Sequence, residues 1–259
     1  EQVAKFRAGR ALWAKIVQED YGAKNPRSMG LRMIAGGGGS GLTKEQPELN
    51  IVRGAYYALI SALSGAQTMA LCCYDEAYTI PTEYAQRISL RTMQLLIEEM
   101  GLCDTVDPLA GSYYVETLTN QMREEMEKIM TEVDAQGGIV QSISQGAVQA
   151  QVSAQAYERQ KQIEAGEVRK VGVNCHQIDE EDKDVAFHPY SEVDAKEQAE
   201  RLNQLRDRRN TDAVQQSLNK IVDDAKVGQN IMPAIMDAVQ AYATIGEITQ
   251  KLAGVYGRY

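Results

Sequence analysis

Residues 31–43, LRMIAGGGGSGLT, decide how the chain is read. An apolar run feeds four consecutive glycines, and a helical repeat follows. Three readings compete. Gly36, Gly38 and Gly41 formally satisfy the G-x-G-x-x-G of a dinucleotide-binding turn. That turn needs its helix to begin inside the motif, where the helix N-terminus meets a pyrophosphate, and an acidic residue about 20 positions on. Here Leu42 to Gln46 separate Gly41 from Pro47, and the acidic candidates Asp75 and Glu76 come much later. A second reading is a flexible loop without a ligand. A third is the end of a barrel strand, where missing side chains let a bulky ligand approach the main chain.

Working outward, residues 29–35 read as a buried strand. Thr43 and Gln46 read as a capping box with Pro47 in the first turn. Ile51, Val52, Ala55, Leu59, Ala62 and Leu63 then recur at helical spacing as far as Gly65, a C-terminal stop. A second strand is expected over 67–74, ending at Asp75 and Glu76, and a helix from Pro81 and Thr82 to Gly101. Upstream, Val3, Phe6, Ala11, Leu12, Trp13, Ile16 and Val17 mark a helix that Gly22 and Pro26 close. The chain thus opens inside a helical repeat, which reads as a segment of something longer.

Helix, strand, helix, strand, helix is the alternation of a parallel α/β sheet or barrel. Only two strands are visible, whereas a complete (β/α)8 barrel has eight in about 250 residues. Beyond Gly101, helical patterns run to about residue 165, broken at Gly137, Gly138 and Gly146; residues 166–190 lack helical period and read as extended. Three further helices follow, the third over 231–242, and TIGE at 244–247 caps a last short one. The expectation is an α/β fold: a partial TIM (β/α)8 barrel in residues 1–105, then a mainly helical extension in 106–259.

Composition narrows the function classes. The chain has 259 residues, 44% hydrophobic and 24% charged, with a net charge of -9. An acidic chain repels phosphate backbones, and no local basic patch is visible; RDRR at 206–209 reads as a solvated helix face, so nucleic acid is not an expected partner. No apolar run approaches the roughly 20 residues of a membrane span, and no signal peptide is recognisable. Cys72, Cys73, Cys103 and Cys175 lack framework spacing and read as free thiols of a reducing cytosol. Cys72 and Cys73, being adjacent, are expected on opposite faces of a strand. His176 and His188 have no carboxylate or thiol partner at zinc-site spacing, so no metal ligands are assigned.

Several runs carry a more specific signal. The stretch NPRSMGLRMIAGGGGSGLTKEQPELNIVRGAYYALISALSGAQTMALCCYDEAYTIPTE, with ISLRTMQLLIEEMG, DPLAGSYYVETLT, VGVN and AYATIGEI after it in order, resembles the late barrel and extension of the methylmalonyl-CoA mutase family. The resemblance covers essentially the whole chain. It implies an isomerase that uses adenosylcobalamin: cobalt–carbon homolysis yields a deoxyadenosyl radical, which abstracts hydrogen from an acyl-CoA, and a group migrates to the neighbouring carbon. In the family, CoA threads the barrel axis and the adenosyl group sits at the barrel mouth beneath a cobalamin domain. This chain would supply the last two strands, their helices and the extension.

Residue by residue, Glu76 falls at the family glutamate that holds the adenosyl ribose, and Gly36 and Cys72 at positions beside the adenosyl group. Gln67 and Thr68 fall where the family contacts CoA, and Arg27 where it places a lysine near CoA. Alongside these stand plainer readings: Glu76 as a turn residue, Gln67 and Thr68 as strand-edge hydrogen-bond formers, Arg27 as a loop cation. Where the family typically reads R-F-H-T-Q-T-A-G, this chain has Ile34 for the histidine and Gly36 for the glutamine; a family asparagine is Cys72 and a nearby histidine is Ala70. The resemblance therefore implies a roomier, less polar site that admits a longer acyl group such as ethylmalonyl, and a Gly36→Gln change is expected to narrow it. The cobalt-ligating D-x-H-x-x-G is not found at His176 or His188, which places the cobalt ligand on a cobalamin-binding domain or subunit outside this sequence. Substrate-binding residues of earlier strands are likewise outside it, so the fragment alone is expected to be inactive. The family implies a dimer, and the free thiols a cytoplasmic location. The rival readings are a truncated, non-catalytic homologue acting as an assembly module through its helices beyond residue 191, and, more remotely, a nicotinamide-dependent oxidoreductase.

Overall fold

The computed structural model describes residues 1–102, 104–179 and 185–258; Cys103 lies outside them. The chain opens with α1 (Gln2–Glu19), whose Ala4, Ala8 and Leu12 are buried. Their spacing of four keeps them on one helix face. A single turn, α2 (Pro26–Met29), follows. Proline suits its first position, and the Asn25 side chain caps it by accepting the Arg27 N–H at 3.0 Å. This capped turn takes Met29, with Gly30 as its C-cap, from the strand read over 29–35, and β1 spans only Ile34–Gly37. One 3-10 turn (Gly39–Gly41) then leads toward α3 (Leu49–Leu63).

The expected capping box at Thr43 is not formed. Thr43 Oγ1 donates to the Glu45 carbonyl at 2.9 Å, Gln46 has a left-handed φ of 49°, and Pro47 precedes the helix rather than entering it. The helix ends as expected: Gly65 adopts a φ of 70° just beyond the Ser64 cap. β2 (Thr68–Leu71) is shorter than the expected 67–74, and Cys72 and Cys73 follow it instead of lying within it.

β1 and β2 pair in parallel, with Ile34 opposite Thr68 and Gly36 opposite Ala70. A parallel pair requires a crossover, and α3 supplies it. α3 packs on both strands; a Cβ on its Gly54 would lie 3.4 Å from the Leu71 side chain. Ala35 and Gly37 are buried, whereas Ile34, Gly36, Thr68 and Ala70 are exposed. One face of the sheet is therefore covered by helix and the other is open, including Ile34 at 71% exposure. The observed architecture is a largely helical α/β arrangement around a small parallel sheet.

α4 (Glu83–Glu98) begins at a Thr82 cap, as read from PTE. α5 (Tyr113–Ala135) packs along α1. Between them Arg7, its side chain 11% exposed, reaches Asp107 at 3.0 Å, Glu116 at 2.8 Å and Thr119 at 2.9 Å. α6 (Ile139–Ser144) and α7 (Ala147–Glu164) follow the glycine breaks at Gly138 and Gly146. The described residues between 165 and 190, read from sequence as extended, form turns and an isolated bridge between Val171 and Cys175, and no strand. They return to α3: Arg53 Nη2 donates to the Val171 carbonyl at 2.9 Å, and Gln46 Nε2 to that of His176 at 3.0 Å.

Chain contacts divide the molecule into Glu1–His188 and Pro189–Tyr259. The second unit holds α8 (Glu192–Arg208), α9 (Thr211–Lys226), α10 (Met232–Gln240) and α11 (Ile245–Tyr256). Val214, Leu218, Ile221, Ala234, Ala238 and Ile248 form its core. The Thr244–Glu247 capping box read from TIGE is present with both reciprocal bonds. Glu247 also accepts two bonds from Arg209, whose side chain is 9% exposed. Arg209 is thus part of the packing, not of the solvated face that RDRR suggests.

Candidate functional site

The register sorts the sequence-derived candidates along the sheet. Three intervals at about 3.3 Å each separate the ends of either strand by about 10 Å. Gln67 and Thr68 stand at the N-terminal end of β2. Gly36, Cys72 and Glu76 gather at the C-terminal end. Ile34, Gly36, Thr68 and Ala70, all named in the sequence reading, are exposed on the open face.

At the C-terminal end the main chain is held by buried polar side chains. Asn50, on the first turn of α3, is 1% exposed. Its Nδ2 donates to the carbonyls of Thr43 at 2.9 Å and Tyr74 at 3.0 Å, and its Oδ1 accepts the Thr43 N–H at 3.1 Å. One amide thereby ties the exit of the glycine loop to the turn after β2. Asp75 fixes the same turn from the other side: its Oδ2 accepts the Thr82 N–H at 2.9 Å and hydroxyl at 2.8 Å. Glu76, exposed, curls back so that Oε1 accepts the Cys73 N–H at 2.7 Å. The Cys72 thiol donates to the Gly37 carbonyl. Burial, reinforced by the Glu76 charge, pushes the Cys72 thiol above its ordinary range. The same two causes, with Asp75 added, push Cys73 up to about 11. Both thiols are therefore protonated at neutral pH. With Cys175 they are free thiols.

The glycines have identifiable neighbours. A Cβ on Gly36 would lie 2.1 Å from the Ala70 carbonyl oxygen. On Gly37 and Gly41 it would meet the Tyr57 ring at 2.2 Å and its hydroxyl at 2.1 Å. Tyr57 lies along the loop, and side chains there would displace it. A Gly36→Gln change, expected to narrow the pocket, would first have to move the neighbouring strand. The dinucleotide reading fails on geometry as well, because α3 begins only at Leu49, beyond an intervening turn.

At the N-terminal end, Gln67 Oε1 accepts the Met33 N–H at 3.2 Å and Nε2 donates to the Gly65 carbonyl at 3.4 Å. Gln67 lines a cleft of about 510 Å³ with Leu31, Arg10 and Arg123. Arg27 is exposed on α2 and is outside that lining, so the structure does not bring it to Gln67. The sequence reading missed Asn50 and Tyr57, and named Asp75 only as a strand end and an acidic candidate for the dinucleotide turn. An asparagine opening an otherwise apolar helical repeat was the available signal for the first.

Among the described residues, no group of three or more His, Cys, Asp or Glu is arranged to hold a metal ion, and no helix is long and apolar enough to cross a membrane. The sequence matches the methylmalonyl-CoA mutase family profile over residues 1–258. The chain belongs to this family. It is 42% identical over 260 residues to the 2-hydroxyisobutanoyl-CoA mutase large subunit of Aquincola tertiaricarbonis, covering 100% of this chain and 46% of that one. To the methylmalonyl-CoA mutase of Escherichia coli K12 it is 34% identical over 257 residues, 99% of this chain and 36% of that one. The human mitochondrial methylmalonyl-CoA mutase is 32% identical over 259 residues, 100% and 34% respectively. These relatives are mutases, a class of isomerase, and the chain spans less than half of the length of each.

Proposed function

We propose that this chain is the end of the catalytic barrel of an adenosylcobalamin-dependent acyl-CoA mutase, in residues 1–105, with a helical extension in 106–259 leading to a cobalamin-binding domain or subunit. One observation supports the reading: Ile34, Gly36, Thr68 and Ala70, at positions where the family resemblance implies a site, lie on the sheet face that the described residues leave exposed. In a closed barrel that face is the interior. It explains why an apolar Ile34 stands exposed here.

Adenosylcobalamin, when bound, supplies the radical chemistry of the rearrangement. The residues at the C-terminal end fit its adenosyl group. Glu76 offers an exposed carboxylate, suited to accept from two ribose hydroxyls. Gly36 leaves bare main chain where a Cβ would intrude. The protonated Cys72 presents a small neutral surface and keeps its hydrogen on the Gly37 carbonyl. Asn50 and Asp75 hold both loops, so the carboxylate is placed before any ligand arrives. At the other end, Gln67 and Thr68 present an amide and a hydroxyl to the pantetheine, and Arg27 supplies a cation on the approach. The family implies a dimer, and the free thiols suit a reducing cytoplasm; we adopt both as part of the proposal.

For the acyl group, the 42% identity to a 2-hydroxyisobutanoyl-CoA mutase subunit, against 34% and 32% to two methylmalonyl-CoA mutases, favours a small branched acyl-CoA other than methylmalonyl-CoA. Ile34 and Ala70 in place of histidines make that side apolar. The test is turnover of the full-length protein, completed with its cobalamin-binding part and adenosylcobalamin. The panel is 2-hydroxyisobutanoyl-, isobutyryl-, ethylmalonyl-, methylmalonyl- and succinyl-CoA, with isomers resolved by mass spectrometry. Isomerisation of a branched substrate other than methylmalonyl-CoA is expected. Methylmalonyl-CoA as the best substrate would overturn the acyl assignment. No isomerisation by a cofactor-loaded protein would overturn the mutase reading and favour the non-catalytic homologue.

A further inference from the structure

The fold assembles a basic cleft that the sequence hides. It has a volume of about 990 Å³ and lies between α3, the 3-10 turn of the glycine loop, and the segment that follows α7. Arg53, Arg159, Arg169 and Lys170 line it, and no carboxylate does. In a chain of net charge -9, four cations without an acid among them is a marked local excess. The nearest acids of α7 are turned to other partners: Glu158 pairs with Lys161 at 3.1 Å, and Glu164 accepts from Gln160 at 2.9 Å.

The cations are also held differently. Arg53 is fixed by neutral oxygens alone, those of Thr43 and Asn50 at 2.8 Å and Val171 at 2.9 Å, so its charge is placed but not neutralised. Lys170 reaches the Ser40 carbonyl at 3.4 Å. Arg159 and Arg169 are exposed and make no ion pair with any described residue. The apolar Val52 and the Tyr57 ring also line the cleft. A fixed guanidinium, two free ones, an ammonium and an aromatic ring suit a diphosphate joined to a ring system. We propose that this cleft binds a small diphosphate-bearing anion of the nucleotide class.

Such a diphosphate has two sources, a free nucleotide or the nucleotide end of an acyl-CoA, and the test separates them. Pyrophosphate and ADP are titrated calorimetrically into the full-length protein, the Arg159→Ala/Arg169→Ala double variant and an Arg206→Ala control. The three substituted residues are exposed, and circular dichroism checks that the fold is retained. The expected result is pyrophosphate and ADP binding that weakens with salt, falls at least about tenfold in the double variant, and is unchanged in Arg206→Ala. ADP binding more tightly than pyrophosphate, with acyl-CoA affinity unmoved by the double variant, assigns a free nucleotide. An equal loss of acyl-CoA affinity assigns the substrate's own diphosphate. Absence of pyrophosphate and ADP binding at millimolar concentration, or binding that the double variant leaves intact, would overturn the proposal. Because the readout is binding, it does not depend on whether the protein proves to be a mutase.

Discussion

Gly36 and Asn50 show how single residues set this site. Gly36 stands where strand pairing leaves no room for a Cβ, whereas Gly39, in the same run, has nothing within 4 Å of the place its Cβ would occupy. Gly36→Ala should therefore cost about 1–3 kcal/mol, the range for forced overpacking, and Gly39→Ala should be near neutral. Thermal melting of the two variants checks this; equal melting temperatures would show that the strands yield freely. Asn50→Ala strips partners from buried main-chain groups of both loops at once. At about 1–3 kcal/mol for each group left unsatisfied, it should be among the most damaging single changes in the first unit, lowering the melting temperature well below that of Gly36→Ala. A melting temperature close to wild type would mean that water replaces the amide.

At the scale of elements, helices were legible and strands only partly. The repeat of α3, the Thr82 start of α4 and the Thr244–Glu247 box of α11 follow from spacing and capping chemistry, which act within a few residues. The strands were read too long because a short apolar run does not distinguish a strand from a capped turn leading into one. Asn25 and Pro26 settle it locally by making α2, and the pairing partner settles the other end. The glycine run was legible as a strand end, but its cause, the Tyr57 ring, comes from the next helix. The four cations of the basic cleft come from positions 53, 159, 169 and 170, so no window along the sequence contains them together. In the second unit, the Arg209 guanidinium, together with bonds from Thr244, holds the Glu247 carboxyl down to about 2. A carboxyl depressed on folding stabilises the fold above its unfolded value, about 4.3, and that stability is lost as pH falls toward 2. Amide exchange in α9, α10 and α11 should accelerate over that window beyond its intrinsic pH dependence, and Glu247→Gln should remove most of the excess. An excess unchanged by the substitution would place the acid sensitivity elsewhere.

At the scale of the molecule, the proposed roles divide along one small sheet: cofactor at the C-terminal end, acyl-CoA at the N-terminal end, about 10 Å apart. Family membership says which proteins this chain is like; the sheet says how its residues would share the work. The most direct test uses the full-length protein with its cobalamin-binding part. Dissociation constants for adenosylcobalamin and for acyl-CoA are measured in Glu76→Gln, which keeps an oxygen for the Cys73 N–H, and in Gln67→Ala. Loss of a charged acceptor should weaken the cofactor about tenfold with acyl-CoA binding unchanged, and loss of the Gln67 amide should weaken acyl-CoA about threefold to tenfold with the cofactor unchanged. If each substitution shifted both constants together, or the two effects were exchanged, the division along the sheet would be wrong.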